Sequence, residues 1–180
     1  MPQVRFLAAA LMAAALTLVS PPPAAAIDYP VLRNGQWEIT IAGSAGNGAP
    51  RVSTLCLDAS TQKSMLDMGL GMQKEMCSKM ETRRDGSKFY TDAECRMGNS
   101  LIKSQTVMTM IGDTAYRTEA SATYDPPLVK DLRESKSVID GKYTGACRDD
   151  LQPGDLVTST GQKINLKGLQ QRAGAAAKGK

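Results

Sequence analysis

The chain has 180 residues, with 22 Lys and Arg against 18 Asp and Glu, a formal net charge of +4 and 42% hydrophobic residues. That length suits one domain with its own core, and so mild a charge lacks the dense basic patch of a nucleic-acid binder. Histidine is absent, which removes the commonest general base, the commonest metal ligand and every Ser-His or Cys-His nucleophile pair.

Residues 1–26 read as a secretory signal peptide. Arg5 gives a basic start, Phe6 to Val19 form an apolar run, and Ser20, three prolines and the small residues Ala24-Ala25-Ala26 follow. This is the order of regions that signal peptidase reads, so cleavage is expected after Ala26, with the mature chain starting at Ile27. Loss of Arg5 lowers the formal charge from +4 to +3. A membrane span needs about 20 apolar residues; the run is shorter and no second one follows, so no span is expected after cleavage. The expected location is the periplasm.

The mature region opens with the turn Asn34-Gly35-Gln36. Trp37, Ile39 and Ile41 then alternate with Glu38 and Thr40, the period of two of a half-buried strand. Trp37, the only tryptophan, is expected as a core anchor because an indole buries so much area. Residues 43–50 form a loop, and Val52 to Leu57 resume a strand. Asp58 or Ser60 is placed to cap a helix over 59–75, in which Met65, Met68, Met72 and Met76 share one face. Gly69 and Gly71 each cost about 1 kcal/mol relative to Ala, which predicts a break or kink.

Strands follow. Cys77 to Arg84 and Ser87 to Cys95 flank Asp85-Gly86, a dipeptide suited to a hairpin turn. A two-residue loop there sets Cys77 opposite Glu94, and one bulged residue brings it to Cys95. Ser104 to Ile111, the turn Gly112-Asp113 and Ala115 to Tyr124 form a second hairpin, with Tyr116, Thr118, Ala120, Ala122 and Tyr124 on one face and Arg117, Glu119 and Ser121 on the other. Asp125-Pro126-Pro127 ends it. Residues 128–134 suggest at most one helical turn. Ser135 to Ile139, a turn at Asp140-Gly141, and Lys142 to Cys147 supply a last strand or short hairpin. Pro153-Gly154-Asp155 closes the domain, placed at 27–157, and 158–180 read as a polar, flexible tail.

The four cysteines Cys56, Cys77, Cys95 and Cys147 form an even count in an exported chain, hence two disulfides. Their wide spacing disfavours a zinc site, which uses close pairs. The hairpin pairs Cys77 with Cys95 and leaves Cys56 for Cys147 by elimination, although three connectivities satisfy the count.

Gly35-Gln36-Trp37-Glu38-Ile39-Thr40, the four spaced cysteines, Gly145-Ala146-Cys147 and Pro153-Gly154-Asp155 together resemble the domain-of-unknown-function 3617 family of exported bacterial proteins. The resemblance covers about residues 33–156. It implies the compartment and the architecture and brings no activity with it, and it leaves the tail after Asp155 unexplained.

The fold expected is mainly β (α+β): a curved or partly closed antiparallel sheet of six to eight strands, one helix packed against it, and two disulfides. The leading functional reading is a non-enzymatic periplasmic protein that needs no cofactor and binds a small apolar ligand or an envelope partner. Two alternatives stand beside it. One is copper(I) held by Met65, Met68, Met72 and Met76, since thioethers are soft ligands; the same spacing buries a flexible apolar stripe, and core packing is the preferred reading. The other is a carboxylate-dependent enzyme built on Asp92 with Glu94 or on Asp149 with Asp150, for which solvated surface is preferred.

Overall fold

The computed structural model describes residues 28–43, 49–129 and 131–169; the expected signal peptide and the end of the expected tail lie outside the described residues. The elements run β1 (Gly35–Gly43), β2 (Arg51–Leu57), α1 (Ala59–Met76), β3 (Cys77–Asp85), β4 (Lys88–Met97), β5 (Ser100–Ile111), β6 (Ala115–Asp125), β7 (Glu134–Gly145), β8 (Asp155–Val157) and β9 (Lys163–Asn165). One open antiparallel sheet holds all nine strands in the order β3-β4-β5-β6-β7-β1-β2-β8-β9. It exceeds the six to eight strands expected by gaining the short β8–β9 pair. Because β9 lies on β8, with Leu156 opposite Ile164, strand pairing continues past residue 157 to Asn165.

β2 and β3 are consecutive in the chain yet six places apart in the sheet, a flat width of ~29 Å at ~4.8 Å per strand. The 18 residues of α1 span ~27 Å at ~1.5 Å each. The helix therefore has the length needed to cross from one side of the sheet to the other. Disulfides anchor both its ends: Cys56–Cys147 lies just before it, and Cys77–Cys95 begins at its C-cap residue. The helix runs unbroken through Gly69 and Gly71, contrary to the expected kink. A Cβ at either glycine would meet nothing within 4 Å, so their cost is one of propensity alone, and the anchored ends offset it.

The first turn of α1 is fixed by Asp58. Its carboxylate accepts from the Thr61 amide at 2.7 Å, the Thr61 hydroxyl, the Ser60 hydroxyl at 2.9 Å and the Lys167 ammonium at 3.3 Å. Partial burial raises the Asp58 pKa, but the Thr61, Ser60 and Lys167 donors outweigh it and hold the carboxyl well below the ordinary range.

The hairpins correct two sequence expectations. In β3–β4 the register pairs Asp85 with Lys88, so the turn is Gly86-Ser87 and not Asp85-Gly86. That shift alone would carry Cys77 past Cys95; a bulge at Ser78 restores the pair. In β7 the chain passes straight through Asp140-Gly141. Gly141 lies opposite Tyr116 in the β6–β7 ladder, and a Cβ on it would overlap the Tyr116 ring. Asp140 pairs with Arg117 at 3.1 Å on the other face. The dipeptide thus makes room for an aromatic ring within a strand. The Gly98-Asn99 turn that joins β4 to β5 was not anticipated.

Two predictions follow from this packing. Gly141→Ala should cost about 1–3 kcal/mol by overpacking, read as a lower urea midpoint, and most of that loss should vanish in a Tyr116→Ala background. In the chain-entropy model, closing loops of separation 91 and 18 contributes about 4.6 and about 3 kcal/mol. Replacing Cys56 and Cys147 together by Ser should therefore lower the denaturation midpoint more than replacing Cys77 and Cys95 together.

Candidate functional site

Strand alternation divides the sheet into two faces. Trp37 and Ile39 of β1, Leu55 and Leu57 of β2, Phe89 and Thr91 of β4, Thr106 and Met108 of β5, and Tyr116 of β6 turn toward α1. The core proper is small and sits at the β1–β2 side, where Trp37, Leu55 and Leu57 are 1%, 3% and 3% exposed. Trp37 stacks on Tyr116 with ring centroids 5.9 Å apart, meets Tyr143 edge-on at 6.1 Å, and donates its indole N–H to the Arg33 carbonyl at 2.8 Å. Burial pushes the Tyr116 phenol above its ordinary pKa.

Residues 28–34 form an arm along the sheet end that carries Gly35, Asp85 and Asp113. Asp28 meets Arg84 at 3.6 Å at the β3 side. The Arg33 amide donates to the Asp113 carbonyl, and the Arg33 guanidinium binds the Asp113 carboxylate through two hydrogen bonds of 3.0 and 3.1 Å. Gln62 ties the arm to the helix, since its side-chain amide both accepts from the Leu32 N–H and donates to the Leu32 carbonyl, each at 2.8 Å. The arm reads in sequence as unassigned residues between the cleavage site and the first strand; the apolar run Tyr29-Pro30-Val31-Leu32 is the one signal that it packs against something.

Floor, helix and arm border a half-open cavity of about 830 Å³, within the range of small-molecule sites. Its wall is mostly apolar, with Trp37, Ile39, Leu55, Phe89 and Met108 below, Met65 and Leu66 above, and Val31 at the arm. Three threonines, Thr82, Thr91 and Thr106, lie in one cross-strand row on β3, β4 and β5 and also line it; the hydroxyls of Thr82 and Thr91 are 3.1 Å apart and bonded. Sequence reading missed this row, because each threonine alone is an ordinary strand residue and only register aligns them. Thr118, across from Met108 on the same face, is 8% exposed and its hydroxyl finds no partner among the described residues.

The methionine stripe departs from the core packing preferred for it. Met65, Met68 and Met72 are 40%, 41% and 54% exposed, and Met76 is half-buried. α1 spans the sheet as a roof without settling onto it, so Met65 meets the cavity and Met68 and Met72 meet solvent instead of a packed floor. The carboxylates considered for catalysis stay outside the cavity. Asp92 and Glu94 belong to the opposite face, where a trough of about 640 Å³ holds Asp92 beside Gln105 and Glu94 beside Lys103. Asp150 pairs with Arg148, whose hydrogen bond draws its carboxyl below the ordinary range. No helix among the described residues is long and apolar enough to cross a membrane.

Apart from Trp37 and Ile39, the short motifs converge away from the cavity. Gln36 lies opposite Gly145, and a Cβ on Gly35 would overlap the Gly145 carbonyl, so the backbones at the start of β1 and the end of β7 touch directly. Cys147, two residues on, bonds to Cys56, whose carbonyl accepts from the Gly154 amide at 2.8 Å. Asp155 then accepts from Asn165 at 2.8 Å and from the Gln152 amide at 2.9 Å, and these bonds hold its carboxyl below the ordinary range.

The Asp58 cluster that holds the roof should show in the pH dependence of stability. Its folded pKa lies below the unfolded value, so the contribution is complete above about pH 3.9 and is lost as pH falls below it. Asp58→Ala should cost about 1–2 kcal/mol at pH 7, as for other N-cap losses. In paired urea titrations the gap between Asp58→Ala and the parent should narrow on acidification below that pH.

No curated protein and no solved structure matches the chain. A family described as protein of unknown function (DUF3617) matches over residues 32–147. That span takes in the Gly35–Trp37 start, all four cysteines, the crossover helix and the meander from β3 to β7, and the chain belongs to the DUF3617 family.

Proposed function

We propose that this is an exported periplasmic binding protein that holds a small apolar ligand between α1 and the sheet and catalyses no reaction. The observation that supports this reading is the apolar cavity of about 830 Å³ bounded by sheet, helix and arm. Disulfides Cys56–Cys147 and Cys77–Cys95 suit an oxidising compartment, and the leader-like order of residues 1–26 supplies the route there. Within the cavity lining the one carboxylate, Asp113, is engaged by Arg33, which argues against acid–base chemistry.

The solitary Trp37 lines the cavity and serves as its own reporter. Titration of the oxidised protein with N-phenyl-1-naphthylamine should give saturable energy transfer from Trp37. Met108→Lys, which puts a charge into the wall, should weaken the probe about tenfold, a loss of roughly 1.4 kcal/mol. An oxidised, folded protein that shows no saturable transfer would remove the reading.

The exposure of Met65, Met68 and Met72 on one helical face favours a second reading, copper(I) bound by thioethers. Titration against a competing chelator tests it: affinity equal to that of a Met68→Leu, Met72→Leu variant would leave copper without support.

A further inference from the structure

Resting on the ligand-binding reading above, we infer that the ligand is an elongated, uncharged, single-chain lipid, an acyl chain carrying a neutral hydrogen-bonding head such as a monoacylglycerol. Three observations carry this. The first is shape. The lining crosses the sheet from Leu55 and Leu57 on β2, through Trp37, Tyr116 and Met108, to Thr82 on β3, and meets α1 between Ala59 and Leu66. A lining that passes over this many strands fits a chain better than a compact ring system.

The second is the distribution of polarity along that axis. Trp37, Leu55 and Leu57 at the β1–β2 side and Phe89 and Met108 on β4 and β5 are apolar, the hydroxyls of Thr82, Thr91 and Thr106 lie on β3–β5, and the charged Arg33 and Asp113 bind each other. The apolar tail therefore lies toward Trp37 and the head toward the threonine row, where hydroxyls donate to and accept from an ester or a glycerol.

The third is charge. The two cations of the lining, Arg33 and Lys63, are each paired, with Asp113 and Asp67 respectively. A fatty-acid carboxylate would find no unpaired cation in this wall, and an uncompensated ion is expensive to desolvate. A neutral head avoids that cost.

The test is displacement of N-phenyl-1-naphthylamine from the oxidised full chain by monopalmitoylglycerol, palmitate and progesterone. Monopalmitoylglycerol should displace the probe at a midpoint at least ~10-fold lower than either competitor. Thr106→Val should weaken monopalmitoylglycerol severalfold more than it weakens the probe, and an unchanged urea midpoint reports that the variant is folded. Palmitate matching the monoglyceride overturns the neutral head, and progesterone matching it overturns the elongated shape; in both cases the probe still binds and the ligand-binding reading survives. Unchanged monoglyceride affinity in Thr106→Val overturns the head placement. Absence of any saturable probe signal overturns both readings together.

Discussion

The architecture depends on two covalent links at the ends of one helix. A chain that leaves β2 and re-enters the sheet at β3 must cross the intervening strands, and α1 does so as a single run of 18 residues. Left to local forces, this helix would be marginal: its middle carries two glycines, and most helical stability comes from a packed face, which α1 largely lacks. Cys56–Cys147 and Cys77–Cys95 fix its two ends to the sheet, and the Asp58 cluster secures its first turn. The helix can then bridge without lying flat, and the space beneath it is a consequence of that anchoring.

The same links explain how a domain with so few aromatics holds together. Trp37, Leu55, Cys56, Leu57, Phe89, Ala93 and Leu151 are the buried hydrophobic residues among those described. An interior this modest leaves a narrow margin against conformational entropy, and cross-links that restrict the unfolded chain add to it. The short sequence motifs belong to this latch. Gly35, Gly145, Cys147, Gly154 and Asp155 bring the first strand, the last long strand and the β8–β9 pair around Cys56. They build the scaffold, whereas the cavity is lined by residues outside these motifs apart from Trp37 and Ile39.

Polarity is arranged in keeping with this division. On the outer face, charged residues meet across strands, as Arg117 with Asp140 and Lys103 with Glu94, and Arg83 stacks over Tyr90 at 3.8 Å. On the face beneath α1, apolar side chains and threonines prevail. The charges at the cavity rim serve the arm, and Arg33 both grips Asp113 and lies 5.5 Å over the Tyr143 ring. The arm is thus tied to the sheet, to the helix through Gln62 and to β3 through Asp28, so the cavity is bounded on three sides by one continuous set of contacts.

Local pattern was sufficient for whatever depends on neighbours in the chain. Period-two alternation marks β1 and β6, Asp58 and the apolar spacing mark α1, and the even count of cysteines marks two cross-links. The hairpin pairing of Cys77 with Cys95 was also within reach, although the observed turn is Gly86-Ser87 and the bulge lies at Ser78. Contacts between distant residues lay beyond it. Asp140-Gly141 has the composition of a turn and stays in a strand because the Tyr116 ring occupies the space a side chain would need. The methionine stripe has the spacing of a core helix and is left exposed because the crossover suspends it. Thr82, Thr91 and Thr106 become a row only through the register of three strands. Alternation specifies which residues share a face, but the height of the helix above that face is set by where its covalently held ends are fixed, and those positions exist only once the sheet has assembled.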